Sequence, residues 1–342
     1  MMKLLISVLL LLPPITTLQW IIQQTGVKAR LRGISAVSEK IVWASGSMST
    51  VLRTTDGGAT WQRLMVTTDQ LDFRDVDAVD ANTAYILSIG NGPASRIYKT
   101  TDAGATWQLQ FRNEDAKAFY DAMAFWDDSH GIAIGDSVAG QFCILLTSNG
   151  RDWERVTSSS LPPALTNEGA FAASGSNIAL FAKTHAWVAT GGAATSRVLR
   201  TADSGRSWEV AETPLQAGAS SGIFSIAFRD AKHGIVVGGD YTKQKEAVDN
   251  AAITKDGGIT WQLVRGLSGY RSAVAYVPGT TSIVAVGPAG GDSSEDDGKT
   301  WKPIAGPGFD SLSFVPARRK TSAVAFAAGV DGSTGRLEFT GR

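Results

Sequence analysis

Short strand-like runs follow one another along the chain in groups of four. In one group they are Leu31 to Val37, Lys40 to Ala44, Thr50 to Arg53 and Trp61 to Leu64. In another, Ile223 to Phe228 and Gly234 to Gly238 supply the first two. One phrase joins the third run to the fourth: Ser/Thr-x-Asp-x-Gly-x-Thr/Ser-Trp. It reads TTDGGATW at Thr54 to Trp61, TTDAGATW at Thr100 to Trp107 and TADSGRSW at Thr201 to Trp208. It returns as TKDGGITW at Thr254 to Trp261 and SEDDGKTW at Ser294 to Trp301. A shorter copy, TSNGRDW, runs from Thr147 to Trp153, with Asn149 in the aspartate position.

The phrase has the chemistry of a hairpin turn. Its carboxylate can accept backbone N–H groups inside the turn, and its glycine supplies φ > 0. The Ser/Thr hydroxyl adds a second local bond. The tryptophan then opens the fourth strand and offers a large area for packing. Asp56, Asp102, Asn149, Asp203, Asp256 and Asp296 hold the same place in different groups, so they read as structural.

Four-stranded units of 40 to 55 residues read as propeller blades. The tryptophans from Trp61 to Trp301 are spaced by 46, 46, 55, 53 and 40 residues. The 41 residues beyond Trp301 carry runs at Phe309 to Val315, Ser322 to Ala328 and Arg336 to Thr340, but no fourth run. An orphan run, Leu18 to Gln23, lies at the other end, and its Trp20 precedes Trp61 by 41 residues. The expectation is an all-β, seven-bladed propeller in one domain, residues 19–342, with the N-terminal strand completing the last blade. Closing the ring in this way covers the edges an open ring would expose. Six or eight blades are the alternatives.

Composition narrows the function. Lysine plus arginine total 32 and aspartate plus glutamate total 32, so the formal charge is zero. A dedicated nucleic-acid binder would carry a basic excess. Only 19% of the 342 residues are charged and 43% are hydrophobic, which excludes global disorder. The 10 tryptophans and 37 glycines fit a repeated packing role and many tight turns. Cys143 is the single cysteine, so it forms no internal disulfide and no thiolate zinc cluster. It reads as a buried, inert thiol. His130, His185 and His233 fall at a-to-b turns of three different blades, which argues against a shared metal. The acidic stretch Asp292 to Gly298 lacks the spacing of a calcium loop. No Gly-rich dinucleotide fingerprint is present, so no cofactor is expected.

Residues 1–18 have the layout of a secretory signal peptide. Lys3 precedes the nine-residue run Leu4 to Leu12, broken only by Ser7 and stopped by Pro13 and Pro14. The run is shorter than the ~20 residues a membrane span needs. The expectation is an exported protein, periplasmic or extracellular; an uncleaved anchor is the alternative.

With turns this regular, the chain resembles the Asp-box (BNR) propellers, which include sialidases and other glycoside hydrolases. Within that group it is most similar to the photosystem II stability and assembly factor family and its bacterial relatives. That resemblance implies a non-catalytic, chaperone-like scaffold that binds protein. One fold hosts many functions, so the site has to be argued from residues.

In a propeller the b-to-c loops and d-to-a connections share one face, and the repeated turns lie on the other. A concave site should use the first face. Residues at the start of strand a are Arg32, Arg74, Asp121, Glu168, Arg271 and Asp310, with Tyr120 and Tyr270 beside two of them. The b-to-c loops add Asp136, Asp240 and Tyr241, the last two in a long loop running to about Asn250. The blander reading of this mixed-charge rim is simple pairing of its arginines and carboxylates. A glycosidase could draw its two carboxylates from Asp121, Asp136, Glu168 and Asp240. Arg32, Arg74 and Arg271 could imitate the carboxylate-binding arginine triad of a sialidase, but the Phe/Tyr-Arg-Ile-Pro signature is absent. The favoured expectation is therefore a monomeric, exported, non-catalytic propeller that binds a protein or envelope component.

Overall fold

The computed structural model describes residues 18–316 and 322–340. The expected leader lies, but for Leu18, outside the described residues. Among the described residues 28 strands form seven sheets, each of four antiparallel strands. In blade 1 the strands from the channel outward are Leu31–Ala36 (a), Val42–Gly46 (b), Thr50–Thr54 (c) and Gln62–Leu64 (d). Blades 2 to 6 repeat this order, with strand a at Asp72–Ala78, Tyr120–Phe125, Ile178–Phe181, Ser221–Phe228 and Ala273–Tyr276. The seventh blade uses both ends of the chain. Ser311–Phe314, Ser322–Ala328 and Ser333–Thr340 supply a, b and c, and Ile21–Gln24 pairs with the last as d. Ile21 sits opposite Arg336 and Gln24 opposite Ser333. The count of seven and the closing N-terminal strand match the sequence reading.

The repeated phrase forms a small hydrogen-bonded knot. In blade 1 Thr54 Oγ1 accepts the Gly58 N–H at 3.0 Å and donates to Asp56 Oδ1 at 2.8 Å. Asp56 accepts the Thr60 N–H at 2.9 Å and the Thr60 hydroxyl at 2.6 Å. The Thr60 hydroxyl first, then the Thr60 N–H and the Thr54 hydroxyl, holds the Asp56 carboxyl at about 2. In the shorter copy Asn149 Oδ1 takes the same place and accepts the N–H groups of Arg151 and Asp152 at 2.9 Å. Gly58 adopts φ +90°, where a Cβ would also run into the Gln23 side chain.

The tryptophan of each phrase does not enter the ladder. Strand d begins one residue later, at Gln62, Gln108, Glu154, Glu209, Gln262 and Lys302. The ring turns into the gap between its own blade and the preceding one. Trp61 packs with Leu31 and Leu52 of blade 1 and Phe326 of blade 7. Trp107, Trp153, Trp208, Trp261 and Trp301 fill the next five gaps in the same way. Trp20 fills the gap between blades 6 and 7 and lies 4.9 Å from the ring of Phe309. The tryptophan excess is thus one wedge per blade interface.

The inner edge of each strand a faces the channel with no strand to pair with, and unpaired buried N–H groups are costly. Side chains of the preceding blade cap many of them. Ser313 accepts the Ala36 N–H and Ser35 the Ala78 N–H, both at 3.0 Å. Asp75 accepts the Met123 N–H at 2.7 Å and Asp77 the Phe125 N–H at 2.8 Å. Ser225 accepts the Val274 N–H at 2.9 Å. These bonds tie blade to blade around the axis.

Trp20 is 4% exposed and Ile21, its neighbour, is 55% exposed. Trp20→Ala should destabilise the fold by about 3–5 kcal/mol, whereas Ile21→Ala should change it by about 0.5 kcal/mol or less. Denaturant unfolding checks this; equal effects would mean the N-terminal strand does not close the ring.

Candidate binding face at the channel mouth

The b-to-c loops and d-to-a connections frame the mouth of the channel. One connection dominates it. Residues 156–177 link strand d of blade 3 to strand a of blade 4, and their length accounts for the 55-residue interval between Trp153 and Trp208. Their second half, Gly169 to Asn177, consists mostly of small residues and runs across the mouth. The Ala173 carbonyl accepts from Arg32 of blade 1 at 3.1 Å, and the Ala172 carbonyl from Arg74 of blade 2 at 3.2 Å. Ser174 Oγ donates to the Ser272 carbonyl of blade 6 at 2.7 Å. Ser176 Oγ lies 2.7 Å from Ser225 Oγ of blade 5. Gly169 and Gly191 of blade 4 exchange both backbone bonds, at 3.1 and 2.9 Å. A segment that reaches blades on all sides of the axis closes the channel. Gly175 needs its lack of a side chain here: φ is +73°, and a Cβ would come 2.1 Å from Asp75 Oδ1.

The charged residues expected at the starts of strand a are largely spent on structure, and Glu168 lies instead in the long connection, ten residues before strand a of blade 4. Arg32 and Arg74 hold the two carbonyls above, and Arg74 Nε also bonds Asp72 at 2.9 Å. Glu168 is buried and forms an ion pair with Arg197, whose Nε lies 2.9 Å from Oε1. It also accepts from Thr190 Oγ1 at 2.7 Å and the Leu165 N–H at 2.8 Å. Arg271 is buried against Asp292, Nε to Oδ2 at 2.8 Å. Asp310 receives both arms of Arg30, at 2.7 and 2.8 Å. Asp240 accepts the Thr242 N–H at 2.9 Å and its hydroxyl at 2.7 Å. Tyr120 and Tyr270 are buried; Tyr241 is 46% exposed. Phe171 stacks on Phe224 with ring centres 4.0 Å apart, Tyr270 meets Phe224 edge-on at 4.7 Å, and Tyr241 lies 6.1 Å from Phe224.

Sequence reasoning missed the partners Arg30, Arg197 and Asp292. Asp292 was read as part of an acidic loop stretch, yet it lies in strand c of blade 6 and is fully buried. The available signal was a charge in the middle of a strand, which needs a partner when buried. Arg32, Arg74 and Arg271 do not converge as a free guanidinium triad, since each already has an acceptor.

Asp121 and Asp136 are placed differently. They stand on strands a and b of blade 3 and border a cleft of about 770 Å³ that Arg74, Glu168 and Phe171 also line. Burial first, then the Asp136 charge, pushes the Asp121 carboxyl well above its ordinary range. Burial pushes Asp136 up to about 6. A smaller cleft of about 610 Å³ lies on the other face, among Phe228, Arg229 and residues 278–281.

Other candidate groups have local roles. His130 Nδ1 lies 2.9 Å from Asp127 and His233 Nδ1 2.9 Å from Asp230, in equivalent a-to-b turns. His185 begins strand b of blade 4 and stacks on Trp187. Cys143 is buried, and its Sγ lies 3.1 Å from Arg155 Nη2. Among the described residues no three His, Cys, Asp or Glu side chains come together as a metal site.

No family model matches the chain, and neither does any curated protein. Solved structures do match. A structure of YCF48 bound to a D1 peptide superposes with a TM-score of 0.66 and 17% identity, covering 93% of this chain and 96% of that one. The likeness is one of fold. The WD40 propeller domain of Doa1 gives 0.64 and 12%, covering 94% and 97%. An ancestral GH74 enzyme gives 0.64 and 16%, covering 92% of this chain but 45% of the enzyme. A peptide binder, a WD40 domain and an enzyme share this architecture, so the assignment must come from the face itself.

Removing one partner of a buried ion pair leaves an uncompensated charge. Glu168→Ala should therefore cost about 3–5 kcal/mol in denaturant unfolding. A loss under about 0.5 kcal/mol would show that Glu168 is free for another task.

Proposed function

We propose that this chain is an exported, non-catalytic propeller that binds a protein or envelope component through the face around the channel mouth. The observation that carries the reading is where large apolar side chains remain exposed. Met48, Met65, Tyr241, Val248 and Val330 are 46–78% exposed, and all stand in b-to-c loops or a d-to-a connection on this face. On the opposite face Ile259 is the one such side chain among the described residues, and Ile21, Ile22 and Leu109 are 44–55% exposed along the outer strands d. Apolar groups exposed on one rim of a rigid scaffold mark a contact surface. Arg30, at 39% side-chain exposure, and the loop residues Lys243, Lys245 and Glu246 add polar contacts around it. The YCF48 structure with its bound peptide supports the same kind of use. The leader-like N-terminus supports export.

Two of the four candidate carboxylates are engaged elsewhere, which weakens the hydrolase reading. Hydrolysis requires two carboxyl groups flanking the scissile bond at about 5 or 6.5–9.5 Å. Glu168 is tied to Arg197 and Asp240 to Thr242, which leaves Asp121 and Asp136, on neighbouring strands of one blade, as the one candidate pair.

The test is affinity capture from an envelope fraction. Wild type should retain a defined set of partners that Met48→Ser/Tyr241→Ser/Val248→Ser loses and Ile259→Ser keeps. Arg32, Arg74 and Arg271 are unsuitable as probes, because their truncation would disturb the segment over the channel or strand Asp292. Identical partners from all three proteins would overturn the reading.

A further inference from the structure

Asp121 and Asp136 have no part in the contact surface just described. Asp121 sits at a β-bulge, where the register shifts between Tyr120 and Ala122. Such a bulge re-aims a side chain out of the ladder. The Asp121 carboxyl faces the Ala172 N–H of the crossing segment, yet its Oδ2 meets no hydrogen-bond donor although the residue is 2% exposed. Asp136 follows Gly135, the residue opposite Tyr120, and faces the Ala170 N–H. Both border the same open cleft. A buried carboxylate oxygen without a donor is rare and needs an explanation.

The neighbouring charges do not supply one. Arg74, on strand a of blade 2, lies near enough to favour ionised Asp121, but its hydrogen bonds go to Asp72 and the Ala172 carbonyl. Glu168, in the same cleft, is matched by Arg197. Asp75 and Asp77, also on strand a of blade 2, are acceptors already occupied by the Met123 and Phe125 N–H groups. What remains is a pair of acidic side chains bordering one cleft, with the unused oxygen of Asp121 itself buried.

We propose that Asp121 and Asp136 bind a primary ammonium group in the cleft beside blade 3. An ammonium is a compact charge whose three donors can be divided between two carboxylates. The ammonium could be carried by a small polyamine or by a lysine side chain of a peptide, and the test separates these sources. The site stands independently of the apolar contact surface. A proton competes with the cation for the pair. Asp136 has to be ionised, and burial together with the Asp136 charge holds the Asp121 carboxyl above its ordinary range as well, so binding fades as the pH falls through about 6.

Isothermal titration of the folded protein with butane-1,4-diamine, and with an end-blocked Gly-Gly-Lys-Gly-Gly peptide, tests this at pH 7.5 and pH 5. At least one of the two should bind at pH 7.5, and about tenfold or more weakly at pH 5, where a carboxyl titrating near 6 is about one-tenth ionised. Binding of the diamine assigns a site open to free amines; binding of the peptide alone assigns a lysine side chain. Asp121→Asn and Asp136→Asn should each abolish the signal. The pH comparison on wild type keeps the test valid if either variant folds poorly. Binding of neither ligand would mean that the pair is closed by a proton of its own, and would overturn the proposal. Binding equal at both pH values, or surviving in both variants once thermal unfolding shows them folded, would overturn it too.

Discussion

The inner edge of strand a is the constraint on which this structure turns. Seven strands stand around an axis with one edge unpaired, and each N–H on that edge needs an acceptor. Serine and aspartate from the preceding blade provide it, as Ser313 does for Ala36 and Ser225 for Val274. The tryptophans act at larger radius, one in each gap between blades. Together they make the ring rigid both at its axis and at its flanks, and the seventh blade makes it closed. Using carboxylates as caps has a cost. Burial pushes Asp77 up to about 6, so near neutral pH its ionisation works against the fold.

The same requirement explains the channel mouth. The segment from Gly169 to Asn177 brings its own peptide groups into the channel, and the ring satisfies them. Arg32 and Arg74 take its carbonyls, and Asp121 and Asp136 face the N–H groups of Ala172 and Ala170. A rim of mixed charge is therefore mostly an internal fastening. The exposed apolar side chains of this face lie farther out, in loops such as Tyr241 to Val248, among charged neighbours. The exposed apolar side chains on this face stand in the loops of blades 1, 5 and 7, and the cleft beside blade 3 is separate from them.

The fold was legible because its instructions are local and repeated. The turn phrase specifies a hairpin within eight residues, and Trp20 revealed the missing strand by its distance from Trp61. The site was less legible because its contacts are set by ring closure. Arg30 meets Asp310 only because blade 7 abuts blade 1, and Arg271 meets Asp292 only because blade 6 folds residues 21 apart together. Asp292 was hidden inside an acidic stretch whose other members lie in a turn. The crossing segment announced itself only as extra length between Trp153 and Trp208. Asp121 is legible as a carboxylate at the start of strand a and Asp136 as one after strand b, but Asp136 lies within strand b, and the bulges beside both residues are shown by no periodicity.

Hydrogen exchange over residues 169–176 tests most directly whether this segment closes the channel as part of the ring. At neutral pH its amides should exchange as slowly as those of the inner strands, since the ring holds the segment on every side. Exchange as fast as in the exposed loop at residues 243–249 would contradict the account.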